Sequence, residues 1–235
     1  MIKSLMSLRG GPRLFTGIAL MQLLVAIAGF GFEPFRGRTD YAALPLSTHV
    51  HASFGIAWCV IAIAQPWLIG ARKPQLHRKL GWAAAALAAA MVVTGVMTTV
   101  NAVTSGRGYP AAMVFVTNIG GLIPFAAMVI AGIQVRRRSD WHRRLLACAT
   151  IMVVAPGWAR IVPMGTLGLA GLLVIEAGML APVVWGMIHD RRTNGRIHPA
   201  WYWGVAALVS PLFMVPVAFV PAFTAWADGF APAAG

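Results

Sequence analysis

Apolar residues in this chain fall in long, nearly unbroken runs, not in the alternating pattern of strands or the single stripe of a surface helix. A backbone placed in hydrocarbon must satisfy its own hydrogen bonds, so a span needs roughly 20 mostly apolar helical residues. Seven stretches meet that requirement, at about 14–32, 49–69, 80–103, 110–135, 144–161, 166–188 and 199–222. The fifth and sixth are separated only by Arg160, Pro163 and Gly165, but their joint length needs two crossings. The pattern predicts an all-α fold, a polytopic transmembrane helix bundle forming one integral membrane domain over residues 1–235. Residues 48–163 are expected to form a central four-helix unit.

Composition narrows the reading. With 59% hydrophobic and 11% charged residues, the chain has too little polar surface to coat a soluble globule. The net charge of +13 is not a nucleic-acid footprint, because the basic residues sit in short gaps between apolar runs with no soluble basic face. The expected partner is instead a bilayer with anionic headgroups, and no protein partner is identified. Fifteen Lys and Arg residues fall in the connections of one side, from Lys3, Arg9 and Arg13 through Arg136, Arg137 and Arg138 to Arg196. The other side receives four: Arg36, Arg38, Arg107 and Arg160. Basic loops stay inside, so the N-terminus is expected in the cytoplasm and the C-terminus outside, and the Arg- and Ala-rich composition suggests the inner membrane of a bacterium. A rival reading takes Lys3 to Arg13 and the following apolar run as a signal peptide cleaved near Ala26-Ile27-Ala28, which leaves six helices. Trp67, Trp82, Trp141, Trp185, Trp201 and Trp203 near the inner helix ends, and Trp226 near the outer C-terminal end, read as interfacial anchors.

Candidate chemistry is sparse. Leu76-His77-Arg78-Lys79-Leu80 and Trp141-His142-Arg143-Arg144-Leu145 open two helices on the basic side and look like an internal repeat. If the copies are neighbours, His77 and His142 lie at one depth and could supply two axial nitrogens to a b-type haem, with Arg78 and Arg143 pairing with its propionates. The competing reading makes both His-Arg pairs headgroup anchors. His49 and His51 open the second helix on the other side. Residues two apart point roughly 200° apart on a helix, so they chelate one metal only if His49 lies in the entering loop. Met97, Met113 and Met164 are candidate soft partners for copper there. Glu176 is the one carboxylate near the middle of a span, with Arg160 its obvious positive partner, although helical rise separates their depths. Its alternatives are a protonated, hydrogen-bonded acid or a relay site for protons or cations. Cys59 and Cys148 lie at different depths, which argues against a disulfide. No nucleophile elbow, phosphate-binding glycine loop, His-Glu-x-x-His motif or acid pair is present, so a hydrolase, kinase or nucleotide-driven pump has no support.

His51-x-x-x-Gly55, Pro74-x-x-His77-Arg78-x-x-Gly81 and Asp140-x-His142-Arg143 together resemble an uncharacterised bacterial family of polytopic membrane proteins, over about residues 48–163. The resemblance implies a helical membrane bundle. The same motifs are distantly similar to transmembrane b-type cytochromes and ferric-reductase-like domains, where paired helix histidines hold haem. This chain departs from the dihaem pattern: its fourth helix has no histidine, and Asn118 is that helix's most polar member. The resemblance therefore implies at most one haem, through His77 and His142. Three function classes follow: a haem-binding redox protein, a carrier of small molecules or lipids using Glu176, and a noncatalytic scaffold or assembly factor.

Overall fold

The computed structural model describes residues 2–36, 40–106 and 110–232. Arg38 and Arg107, two of the four cations counted for the sparsely charged side, lie outside these residues, as do the side chains of Lys3 and Arg9. The described residues hold no strand, and seven of their helical segments are long and apolar enough to cross a membrane. The chain is a multi-pass all-α membrane protein.

Helix α1 (Ile2–Gly31) is followed by α2 (Leu46–Gly70), α3 (Pro74–Thr104) and α4 (Ala111–Gln134). The fifth span is interrupted, comprising α5 (Ser139–Met152) and α6 (Ala155–Ile161). Helices α7 (Ala170–Asn194) and α8 (Ala200–Met214) complete the bundle, α8 running on through a 3₁₀ segment, Val215–Phe219. A last short helix, α9 (Pro221–Asp228), packs its aromatic residues with Phe115 and Phe230.

Local chemistry accounts for the differences between expected and observed ends. Helix α3 starts at Pro74 rather than near residue 80, because proline at the first helical position loses no intrahelical bond and has the right φ. Helix α5 starts five residues before Arg144, at Ser139. Both shifts bring His77 and His142 inside their helices. The sixth span starts later than residue 166: Met164–Leu167 forms a separate turn, and Gly168 at φ +53 breaks the path before α7. The α7 terminus is set by Gly195, left-handed at φ +73.

Helix α1 packs along α2, α5 and α6; α2 and α3 form a hairpin; α4 lies between α3, α5 and α8; and α8 also contacts α5 and α7. Glycine sets the closest approach. A Cβ on Gly29 of α1 would run into the backbone of Gly157 on α6, so these helices touch main chain to main chain. Leu14, Phe15, Ile18 and Ala19 of α1 are buried in the core, making α1 a structural member of the bundle. Large apolar side chains such as Leu24, Ile56, Ile123 and Phe213 face outward, as expected where lipid is the solvent.

The tryptophans divide. Trp67, Trp82, Trp185, Trp203 and Trp226 are exposed, as anchors should be. Trp201 is not an anchor: its side chain is fully buried, stacked on Phe15 at 6.3 Å and 9°. It occupies the core because Gly186 on α7 leaves room for its ring and Asp190 accepts its indole N–H.

Candidate functional site

His77, His142 and the Arg144–Asp190 network lie at the end of the bundle that carries the basic loops. His77, in the first turn of α3, and His142, in the first turn of α5, bring their ring centres to 6.3 Å with planes 79° apart. Each ring is held from behind. His142 Nδ1 donates to the Gly132 carbonyl on α4 at 2.8 Å. Gln65, near the end of α2, satisfies its neighbours by donating through its amide nitrogen to His77 Nδ1 at 2.5 Å while its oxygen accepts from the Gly81 N–H at 3.0 Å. Four helices therefore fix two imidazoles, with both Nδ1 atoms engaged. Gln65 escaped the sequence reading; its signal was a lone amide in an apolar span, about two turns before the basic loop.

The arginines expected to flank the pair do not share one site. Arg78 is exposed on α3. Arg143 turns toward α1, its guanidinium 5.4 Å from the Phe15 ring centre. Arg144, read only as a topology charge, is buried and reaches Asp190 on α7 through Nε at 2.8 Å and Nη2 at 2.5 Å. Asp190 also accepts from Trp201 Nε1 at 2.8 Å, Asn194 Nδ2 at 3.2 Å and the His198 N–H at 3.4 Å. At the rim, His198 Nε2 lies 2.9 Å from Asp140 Oδ2, and Trp141 packs edge-on against the His198 ring. This network ties α5, α7 and α8 together. Its missed signal was Asp190, an acid at the end of an apolar run beside Arg191 and Arg192.

At the opposite end, α2 begins at Leu46, so His49 and His51 both lie on regular helix and do not form a joint chelate. His51 Nδ1 lies 2.9 Å from Thr94 Oγ1, whose own proton goes to the Ala90 carbonyl, so the imidazole donates to Thr94. Met164 packs its sulfur against Gly171, and Met113 sits in a separate apolar cluster near α9. No group of three His, Cys, Asp or Glu side chains able to hold a metal occurs among the described residues.

Glu176 is buried on α7, and its Oε1 has no hydrogen-bond partner. Arg160 does not supply one. It donates to the Pro156 carbonyl at 2.9 Å, lies 4.1 Å over the Phe30 ring, and its own carbonyl accepts from Arg36 at 2.6 Å. Helical spacing puts Glu176 on the same face as Val183 and Asp190, toward the bundle interior. Cys59 and Cys148 are both buried free thiols. The chain matches no family model, no curated protein and no solved structure.

Proposed function

We propose that the chain is a haem-binding, redox-linked protein of the bacterial inner membrane, with His77 and His142 as axial ligands. The observation that carries this reading is their pairing. With metal–nitrogen bonds of about 2 Å, two imidazoles on opposite sides of one metal have centres roughly 6 Å apart, and these rings are 6.3 Å apart. The His142 Nδ1–H donated to the Gly132 carbonyl is the kind of contact that orients a ligating histidine and leaves Nε2 to the metal. Gln65 donates to His77 Nδ1, which puts the proton of the neutral ring on Nε2; ligation through Nε2 would need that proton on Nδ1 and the Gln65 amide turned, at the cost of its bond from the Gly81 N–H. Haem would supply reversible one-electron chemistry; the protein's part is to hold both rings and shield the site with apolar helices. The rings meet edge to face here, so both would have to turn to bring their Nε2 atoms toward a common centre. Of the proposed propionate partners, Arg78 is free to swing toward the pair, whereas Arg143 must first leave Phe15.

Full-length protein expressed with ample haem and purified in detergent should show a Soret band and the α and β bands of a six-coordinate b-type centre. His77→Ala and His142→Ala should each abolish the low-spin spectrum, while His49→Ala and His51→Ala should leave it unchanged. A folded protein without a Soret band refutes the reading. A band surviving both inner substitutions means the ligands are elsewhere. The proposed orientation, N-terminus in the cytoplasm and C-terminus outside, predicts that a reporter active only in the periplasm works when fused after Gly235.

A further inference from the structure

The α2–α3 hairpin carries a groove on the outside of the bundle. Its walls are the last two turns of α2, through Ala64, Trp67 and Leu68, and the first two turns of α3, through Leu76, Lys79 and Leu80. Leu68 is buried, whereas Trp67 and Leu76 are 58% and 48% exposed, so the groove opens sideways to lipid and not inward to the core. It holds about 370 Å³, within the roughly 300–1,000 Å³ of small-ligand sites. Lys79 is the one charged residue among these six. A helical side chain leans toward the N-terminus of its helix, and for α3 that is the basic end, so Lys79 carries its ammonium from the groove toward the hairpin turn. In that turn stands Lys73, its Nζ 5.9 Å from the centre of the Trp67 ring. Two cations therefore flank the headgroup end of an apolar slot.

The chain offers these cations no counter-charge. Residues 41–139 contain no Asp or Glu. Asp140 and Asp190, at the same end of the bundle, are engaged by His198 and Arg144, and among the described residues neither Lys73 nor Lys79 has an ion pair. We propose that this groove binds one anionic phospholipid, with an acyl chain lying between Trp67 and Leu76 and the phosphate held by Lys73 and Lys79. The phosphate supplies the charge and acceptor oxygens that the lysines lack, and burial of the chain against Leu68 and Leu80 supplies the apolar part. A soluble phosphate would use the lysines and leave the groove empty. A zwitterionic lipid would fill the groove and bring a cation of its own to the lysines. This is one lipid in one place, distinct from the general attraction of basic loops for a bilayer. It does not rest on haem, since Gln65, His77 and His142 are not among the groove residues.

The test is native mass spectrometry of delipidated full-length protein in a neutral detergent, titrated with phosphatidylglycerol or with phosphatidylcholine of the same acyl chains. One phosphatidylglycerol per chain should be retained in preference to phosphatidylcholine. Lys73→Gln and Lys79→Gln should each weaken phosphatidylglycerol binding about fivefold. Arg137→Gln, the same loss of charge at an exposed site in another loop, should change it by less than about twofold. Ala64→Phe keeps every charge and fills the groove, and should weaken binding by about tenfold or more. None of these four positions is buried, so the variants are expected to fold. Glycerol 3-phosphate, the headgroup chemistry without a tail, should not compete. The proposal is overturned by equal retention of the two lipids, by a preference that survives Lys73→Gln and Lys79→Gln combined, or by an Arg137→Gln effect as large as either lysine's. Unchanged affinity in Ala64→Phe, or full displacement by glycerol 3-phosphate, overturns it as well.

Discussion

Helix α7 carries two buried acids on one face, Glu176 and Asp190, fourteen residues apart. They have opposite fates. Asp190 accepts from Arg144, Trp201, Asn194 and the His198 backbone, so its charge is both paired and hydrogen-bonded. Glu176 has an oxygen with no partner and no ion pair among the described residues. The contrast separates two uses of a buried carboxylate. Around Asp190 the surroundings are complete, and removing any part strands the rest. Around Glu176 no partner among the described residues fixes Oε1, so no bond to that oxygen is lost when the charge is removed.

The comparison breaks most visibly at Asp190. Asp190→Ala leaves Arg144 buried and unpaired and should destabilise the protein by about 3–5 kcal/mol, read as loss of folded, monodisperse material or a large drop in chemical unfolding midpoint. Arg144→Met combined with Asp190→Leu should recover most of that loss, because no charge is then stranded. If the double variant is as unstable as the single one, the pair does more than neutralise itself.

Next is Gly186→Ala. The new methyl would overlap the Trp201 ring, which is pinned between Phe15 and Asp190. A cost of about 1–3 kcal/mol is expected, together with a change in near-ultraviolet circular dichroism from the displaced indole. An unchanged spectrum and stability would show that Trp201 is held less firmly than its contacts indicate.

Glu176→Gln should shift stability by less than about 1 kcal/mol in either direction, since the substitution preserves shape and removes no ion pair. Destabilisation on the scale of Asp190→Ala would remove the contrast between the two acids. Smallest of all is Asp140→Asn. Its side chain is half exposed where it meets His198, and such pairs contribute about 0–1 kcal/mol. Unfolding at low and high salt should differ little between this variant and wild type.

Apolar runs and the distribution of Lys and Arg were enough to read seven spans and their approximate limits, because hydrocarbon leaves the backbone one local solution and helix is a local structure. They also brought His77 and His142 to notice as matching helix starts. Hydropathy could not give the Met152–Ala155 break, since the residues there are as apolar as their neighbours and only Pro156 marks them. Nor could it separate Trp201 from the exposed tryptophans beside it, because the difference lies in Gly186 and Asp190 on another helix.

The sequence by itself determined that this chain is a membrane bundle with one strongly basic end. Only the tertiary structure decided which polar residues meet: Arg144 with Asp190, His77 with Gln65 and His142, and Gln22 with no hydrogen-bond partner among the described residues. The physical reason is range. Span length and loop charge are sums over neighbours in the chain, whereas a buried pair depends on the rotation and register of two helices. Those are set by small residues such as Gly29 and Gly157 that let particular faces touch.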